Sequence, residues 1–192
     1  MSLLVGVDGR ARCAWVGTDP EYARYHDEEW GVPLRGDRPL FEKLSLEAFQ
    51  AGLSWISILR RRPGFRAVFH DFEPAVIASF GDDDVERLMT DDRIIRNRAK
   101  ILATIGNARA TLELTDDAPG ALDELMWSFA PTGPRARPRS FADVAAITPE
   151  STALSKALKA RGYRFVGPTT MHALMQSAGM VDDHVVGCWR AS

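Results

Sequence analysis

Residues 83–110 read DDVERLMTDDRIIRNRAKILATIGNARA, and this stretch predicts two helices joined by a short turn. Val85, Leu88 and Met89 lie about one turn apart and give the first helix an apolar face. Asn97 is a suitable N-cap for a second helix, whose inward side chains are predicted to be Ile101, Leu102, Ile105 and Ala108. The sequence therefore predicts a helix, a tight turn and a second helix over residues 83–110.

The turn between these helices carries a basic face. It contains the apolar Ile94 and is flanked by Arg93, Arg96, Arg98 and Lys100. Backbone N–H groups at a helix N-terminus are suited to bind a phosphate oxygen. A single basic cluster is more often a solvated face, so the hairpin indicates nucleic-acid binding only together with other features.

Helical patterns continue on both sides of this hairpin. Residues 40–62, LFEKLSLEAFQAGLSWISILRRR, predict one amphipathic helix, and Pro149 and Pro168 stand where later helices begin. Gly162 is predicted to end the first of these later helices in a left-handed conformation. Residues 131–140 predict an exposed, proline-rich loop. No segment alternates apolar and polar residues as a strand does, so the predicted fold class is all-α.

Composition limits the class of protein. The chain has 192 residues, 45% of them hydrophobic and 26% charged, which excludes a disordered or coiled-coil protein. No segment approaches the roughly 18 consecutive apolar residues of a membrane span. The N-terminus lacks a secretory leader pattern, and two cysteines are too few for a disulfide framework. We therefore expect a cytoplasmic protein of one domain or two small lobes, with reduced thiols and no membrane partner.

Four potential metal ligands lie near the two ends of the chain: Cys13, His26, His184 and Cys188. Two thiolates and two imidazoles would complete a tetrahedral zinc site with no open position for water, which favours a structural role. Such a site would join the ends of the chain and stabilise the native state. The alternative is that both cysteines are buried and free, as small hydrophobic residues.

An aromatic cluster accompanies one unusual carboxylate. The stretch CAWVGTDPEYARYHDEEWG, residues 13–31, is rich in rings, and Trp55 follows Glu47 by eight positions. Aromatic faces stack on nucleobases and attract cations, and Glu47 lies in an otherwise apolar helix. The alternatives are that the rings are simply core residues and that the glutamate is solvated.

Several of these stretches together resemble the 3-methyladenine DNA glycosylase I family of the helix-hairpin-helix glycosylase superfamily. The stretches are CAWVGTDPEYARYHDEEWGVP, LFEKLSLEAFQAGLSW, IIRNRAKILATIGNARA, LSKALKARGYRFVGPTT and DDHVVGC. They extend from about Arg12 to Cys188, and residues 1–11 lie outside the resemblance. The order and spacing of the motifs make the resemblance specific.

The resemblance implies an activity, a fold and a cofactor. It implies a monofunctional N-glycosyl hydrolase that removes 3-methyladenine, and more weakly 3-methylguanine, from alkylated double-stranded DNA without a lyase step. The free base would be the product, and the enzyme is expected to act as a monomer. The implied fold has two helical lobes, and a structural zinc joins the N- and C-terminal segments through Cys13, His26, His184 and Cys188.

The resemblance also assigns roles to residues of this chain. Glu47 would hydrogen-bond the base and is the candidate catalytic residue, although no general base is identified. The aromatic walls of the base pocket would be Trp15, Tyr22, Tyr25, Trp30 and Trp55. Leu53 would fill the gap left in the DNA, and the hairpin would contact its backbone through Arg93, Ile94, Arg96 and Arg98.

Two positions depart from the family pattern. Arg93 stands where family hairpins often have glycine, so a positive φ there would strain the backbone by about 1–2 kcal/mol. Phe49 replaces a polar residue common beside the pocket helix. We also predict three parts of the chain: an N-terminal segment at 1–37 with the aromatic pocket and half of the zinc site, a helical domain at 38–130 with the helix-hairpin-helix, and a C-terminal segment at 131–192 that packs with the N-terminus and completes the zinc site.

Two other functions remain open at this point. A non-catalytic reader of modified bases would use the same cage and hairpin without cleaving a bond. A zinc hydrolase would need an exchangeable water on the metal, and four protein ligands leave no position for it.

Overall fold

Helices dominate the computed structural model, which describes residues 2–133 and 135–191. Two strands come first, β1 (Leu3–Val5) and β2 (Ala11–Cys13). The α-helices that follow are α1 (Pro20–Glu28), α2 (Asp37–Gln50), α3 (Trp55–Leu59), α4 (Arg62–Val68), α5 (Pro74–Ala78), α6 (Asp82–Thr90), α7 (Arg98–Thr115), α8 (Ala121–Trp127), α9 (Pro149–Ala160) and α10 (Pro168–Ser177). Short 3₁₀ turns occupy Ala14–Val16, His70–Phe72 and Phe141–Asp143.

The N-terminal β-hairpin is an addition that the predicted all-α class does not include, although the structure is mostly helical as predicted. β1 and β2 pair antiparallel, with Leu3 opposite Cys13 and Val5 opposite Ala11. Each strand has three residues, which is too short for an alternating pattern to be recognised in a sequence. The pairing places Cys13 at the end of a hydrogen-bonded strand, and the chain outside the hairpin remains mostly helical.

Side-chain caps explain where several helices begin. Asp19 accepts hydrogen bonds from the backbone N–H groups of Glu21 and Tyr22 at the start of α1. Asn97 caps α7 as predicted, because its side chain accepts from the N–H of Lys100. Gly162 follows α9 with a φ of 85°, which confirms the predicted left-handed residue after that helix.

The predicted helix over residues 40–62 is wrong in its middle. It is divided into α2 and α3 by a turn at 51–54, in which Gly52 adopts a φ of 84°. The Lys100 ammonium group donates to the backbone carbonyls of Phe49 and Ala51, 2.8 Å from each, and so satisfies the end of α2. Periodicity along 40–62 could not reveal a bond that comes from 50 residues away.

Helix α2 lies at the centre of the helical core. It contacts α3, α7, α8 and α10, while α5 packs against α7 and α9 against α10. Its apolar side chains are fully buried, including Leu40, Phe41 and Leu44. Leu102 of α7, predicted to face inward, is instead 45% exposed, because α7 turns that side to solvent. Within residues 2–133 and 135–191, no helix is both long and apolar enough to cross a membrane.

Part of the predicted loop at 131–140, position 134, lies outside the described residues. The positions around it are in irregular structure, as expected for a loop. The division into segments at 37/38 and 130/131 stays a prediction.

Candidate functional site

A cavity of about 220 Å³ lies between α1, α2 and α10. All six residues predicted for base binding line it: Trp15, Tyr22, Tyr25, Trp30, Glu47 and Trp55. We call this cavity the aromatic slot. The rings therefore form a shared, accessible wall, and the alternative that they serve only as core residues is not sufficient.

The rings of the slot hold one another at fixed angles. Trp15 meets Tyr22 and Trp30 edge-on, with centroid distances of 4.9 Å and 5.2 Å. Tyr25 and Trp55 lie 5.4 Å apart and are tilted by 45°. Such edge contacts stabilise each other while leaving ring faces free for a flat ligand.

Two donors in the slot have no partner within the described part of the chain. The indole N–H groups of Trp15 and Trp55 are buried without a hydrogen bond to any residue at 2–133 or 135–191. Buried donors are usually satisfied, so an orphaned pair beside a cavity suggests that a ligand or water completes them.

The carboxyl group of Glu47 is buried in this slot, with the residue only 3% exposed. Its Oε1 accepts a hydrogen bond of 2.8 Å from the Ser177 hydroxyl group. Burial raises the pKa of Glu47 from its usual 4.5 to about 7, while the Lys43 charge and the Ser177 hydrogen bond act in the opposite direction. Glu47 can therefore be a carboxylate or an acid near neutral pH, and it is not the solvated residue of the alternative interpretation.

Five further residues line the slot that the sequence analysis does not identify: Gln50, Phe141, Ala173, Gln176 and Ser177. Gln50 lies about one turn beyond Glu47 on α2, so helical spacing alone could have indicated it. Ala173, Gln176 and Ser177 share one face of α10, which no local pattern connects to α2. Phe141 lies in a 3₁₀ turn that leaves no signal in the sequence.

The predicted metal ligands form a second buried site, which we call the Cys/His cluster. The ligand atoms of Cys13, His26 and Cys188 lie within 4.8 Å of one another, and all three residues are buried. Both thiols are free. His184 stands just outside this group, with its ring centroid 5.0 Å from that of His26. Its Nε2 atom is buried and has no partner in the described chain, as an unused ligand atom would be.

Carboxylates orient both histidines of the cluster. His26 Nδ1 lies 2.8 Å from Asp27 Oδ1, and His184 Nδ1 lies 2.7 Å from Asp182 Oδ1. A proton on each Nδ1 leaves Nε2 with a lone pair for a metal, an arrangement typical of zinc sites. Burial raises the pKa of the Cys13 thiol to about 12, with the neighbouring Cys188 adding to it, so a cation would be needed for both to be thiolates.

The two sites touch. The Trp30 ring lines the slot and lies 4.5 Å from the His184 ring. Trp15 lies 5.4 Å from the ring of His26 in the same way. Groups that fix the positions of His26 and His184 therefore also help to fix Trp15 and Trp30, two walls of the slot.

The turn at 91–97 connects α6 to α7 and presents the predicted DNA-contacting residues. Ile94 is buried, while Arg93, Arg96 and Arg98 are exposed. Arg93 is paired with Asp91 and Arg98 with Glu86. Arg93 has no positive φ, so the strain considered for it does not arise. Leu53 is 43% exposed on the turn between the helices of Glu47 and Trp55.

The backbone of the turn at Arg93 lies very close to Gly64 of α4. A Cβ atom on Gly64 of α4 would come within 2.7 Å of the backbone oxygen of Arg93. The turn therefore packs against α4, and glycine is needed at position 64 rather than at 93.

The chain matches the Methyladenine glycosylase family model over residues 15–191. It is 48% identical to DNA-3-methyladenine glycosylase 1 of Escherichia coli (strain K12) over 92% of this chain and 95% of that one. It is 43% identical to DNA-3-methyladenine glycosylase of Haemophilus influenzae, over 92% of this chain and 96% of that one.

Solved structures agree. The structure is similar to a crystal structure of 3-methyladenine DNA glycosylase I, with a TM-score of 0.90 and 47% identity over 93% of this chain and 98% of that one. It also resembles the 3-methyladenine DNA glycosylase I of Staphylococcus aureus, with a TM-score of 0.86 and 35% identity over 92% of this chain and 94% of that one. The chain therefore belongs to the methyladenine glycosylase family.

Proposed function

We propose that the protein is a DNA-repair N-glycosylase that hydrolyses the bond between 3-methyladenine and deoxyribose in alkylated DNA. The observation that carries this proposal is a buried carboxyl group, Glu47, in a slot walled by rings. Relatives at 43% and 48% identity are named for the same activity. By resemblance, 3-methylguanine would be a weaker substrate.

Charge explains the selectivity. Methylation at N3 gives the adenine a positive charge, which makes it a good leaving group and attracts it to ring faces. Such attraction contributes about 0.5–2 kcal/mol per ring, depending on desolvation. The Glu47 carboxylate adds a negative charge and an acceptor for the amino group of the base. Undamaged adenine would lack the charge-dependent part of this binding.

The base must leave the helix before the slot can hold it, at a cost of a few kcal/mol. We propose that Leu53 fills the vacated space, because it is exposed on the turn that joins the helices of Glu47 and Trp55. The unit formed by α6, the turn at 91–97 and α7 would act as the helix-hairpin-helix and hold the DNA backbone. Its contacts to phosphate would compete with the ion pairs that Arg93 and Arg98 make with Asp91 and Glu86.

The position of Lys100 supports hydrolysis without a lyase step. A lyase needs a lysine amine free to attack the sugar. The ammonium group of Lys100 instead donates to the carbonyls of Phe49 and Ala51, and this holds it at the end of α2. Lys100 is therefore a structural residue in this proposal.

A zinc ion would fit the Cys/His cluster through Cys13, His26, His184 and Cys188. Support comes from the donor set, from the carboxylates behind both histidines and from the orphaned Nε2 of His184. Zinc bound there would stabilise the native state by joining the two ends of the chain, and it would take no part in the reaction.

One chain contributes every residue of both sites, which supports action as a monomer. We place the protein in the cytoplasm, where its two free thiols would stay reduced.

Incubation with alkylated duplex DNA tests the proposal. We expect free 3-methyladenine to be released and separated by chromatography, with no strand cleavage. Binding of the methylated DNA without release of a base would instead identify a reader of modified bases. A Glu47→Gln variant serves as the control, because it keeps the size of the side chain and removes its charge.

A further inference from the structure

A second charged side chain is buried next to the slot but outside its lining. Lys43 lies one turn before Glu47 on α2 and is only 7% exposed. Its Nζ atom is 5.3 Å from the ring centroid of Tyr25 and 5.3 Å from that of Trp55. Lys43 lines a separate cavity of about 100 Å³ together with Glu29 and Arg62. Its ammonium group therefore approaches the slot from behind two of its walls.

We propose that Lys43 is a positioning residue of the slot: its buried ammonium group supplies the counter-charge that lets Glu47 remain a carboxylate and so fixes the preference for a cationic base. This inference rests on the proposed function. A buried carboxyl group without an opposite charge takes up a proton in preference to staying ionised. A protonated Glu47 would keep its size but lose the anion that distinguishes a methylated base from an undamaged one.

The groups around Glu47 leave Lys43 as its counter-ion. From α10 the Ser177 hydroxyl group donates to Glu47, and from α1 the neutral phenols of Tyr22 and Tyr25 face it. Lys43 is the charged group that lowers the pKa of Glu47 against the effect of burial.

The remaining charges near Lys43 are already matched. Glu29, after α1, makes a bidentate pair with Arg62 of α4. Glu42 of α2 pairs with Arg66, 2.8 Å away. Burial lowers the pKa of Lys43 itself, while the carboxylates of Glu47 and Glu29 raise it. Lys43 and Glu47 are thus the two buried charges left to balance each other.

The same placement predicts an opposite effect at high pH. A cation behind Tyr25 and Trp55 polarises these rings and weakens the attraction of their electron-rich faces for a positively charged base. Once Glu47 is fully ionised, removal of Lys43 should not reduce excision and should raise it slightly. The pH profiles of the wild type and a variant without the charge should therefore cross.

The test is the pH profile of base release from methylated DNA by Lys43→Met and Lys43→Arg. We expect the acidic limb of the pH profile of Lys43→Met to shift to higher pH by roughly one unit, the usual scale for the effect of a nearby opposite charge on a pKa. With the pKa of Glu47 near 7, the ionised fraction at pH 7 would fall from about one half to about one tenth, so release falls about five-fold. At about pH 9 its rate should equal or exceed that of the wild type, and Lys43→Arg should restore the wild-type limb.

A matched control is Lys156→Met, which removes the same charge from the exposed face of α9 and should leave the limb in place. An unshifted limb in folded Lys43→Met would overturn the inference, as would an equal loss of activity at every pH. Lys43→Gln repeats the test if Lys43→Met does not fold.

A second measurement does not depend on catalysis. The carboxyl carbon of Glu47, followed by NMR in labelled protein, should titrate at higher pH in Lys43→Met than in the wild type. If the wild type released no base, the proposed function would fail while this titration still decided the role of Lys43. An unchanged midpoint would show that Lys43 does not act on Glu47.

Discussion

The aromatic slot and the Cys/His cluster are neighbouring buried sites with opposite electrostatic designs. In the cluster each histidine is backed by a carboxylate, and the ligand atoms of Cys13, His26 and Cys188 lie within 4.8 Å of one another. In the slot one carboxyl group has a single hydrogen bond, and two indole N–H groups have no partner among the described residues. In the proposed function the cluster would stabilise the fold through a bound metal, whereas the slot would leave polar groups unsatisfied for a ligand, at a cost in stability.

The raised pKa of Glu47 determines how this cost in folding stability depends on pH. Its value in the folded protein, about 7, lies above the usual 4.5, so the folded state favours the neutral acid. The stability from this group is fully present below about pH 4.5 and is lost as the pH rises through about 7. The protein thus gives up stability near neutral pH, where the proposed activity would use the carboxylate.

The largest effect on stability is expected from the cluster. If the cluster binds zinc as proposed, Cys13→Ala should remove one ligand and lower the free energy of unfolding by about 2–5 kcal/mol, the scale of a lost disulfide between distant segments. A chelator should lower the melting temperature of the wild type and have little effect on the variant. Zinc content and thermal unfolding measure this.

The activity of Cys13→Ala separates a structural zinc from a catalytic one. Base release per folded molecule should remain close to that of the wild type at low temperature. Loss of activity without any loss of stability would contradict a structural metal and would erase the distinction between the two sites.

Glu47→Gln should show the reverse behaviour. The neutral amide loses the charge that attracts a cationic base, so we expect excision to fall by roughly 100-fold, or about 2.7 kcal/mol of transition-state free energy. Zinc content should not change. Single-turnover release of 3-methyladenine measures the loss.

The folding stability of Glu47→Gln tests whether the ionised carboxylate lowers the stability of the protein. At about pH 8 the wild type holds an ionised, buried carboxylate that Glu47→Gln lacks, so the variant should be more stable by up to about 3 kcal/mol. At about pH 4.5 the two proteins should unfold alike. A variant that is less stable at both pH values would show that Glu47 supports the fold rather than costing it stability.

Lys100, at the start of α7, is hydrogen-bonded to the end of α2, the helix that carries Glu47. Its removal should therefore affect both stability and activity. Lys100→Met breaks two hydrogen bonds from a charged donor to the carbonyls of Phe49 and Ala51. We expect a loss of roughly 1.5–3 kcal/mol in the free energy of unfolding. Excision should fall as well, because the turn carrying Leu53 is released. Denaturant unfolding and base release measure the two losses, with Lys156→Met as the exposed control.

If Lys100→Met lost stability but kept full excision, the turn at 51–54 would not need to be fixed for catalysis. The slot would then depend on α1 and α10 alone.

How far the sequence predicts these sites depends on the distance between partners. Local rules found the Asn97 cap and the end of α9 at Gly162, because their partners lie within a turn. The ring cluster, Glu47 and the four candidate metal ligands were indicated by residue type and position, the family resemblance gave them roles, and the structure brings all six slot residues together. The hydrogen bonds from Lys100 to the end of α2 span sequence separations of 51 and 49, and the bond from Ser177 to Glu47 spans 130. Helical periodicity cannot reveal contacts between residues so far apart in the sequence.

The smallest effect is expected at Ser177. Its hydroxyl group donates to the Glu47 carboxylate and lowers the pKa of that group, but less than the Lys43 charge does. Ser177→Ala should therefore shift the acidic limb of base release in the same direction as Lys43→Met but by less than about one pH unit, equivalent to about 0.5–1 kcal/mol. Unlike Lys43→Met, it should not raise the rate at high pH, because no cation behind Tyr25 and Trp55 is removed. A pH profile of base release measured beside that of Lys43→Met distinguishes a lost hydrogen bond from a lost charge, and a larger shift for Ser177→Ala would reverse the order of the two supports of Glu47.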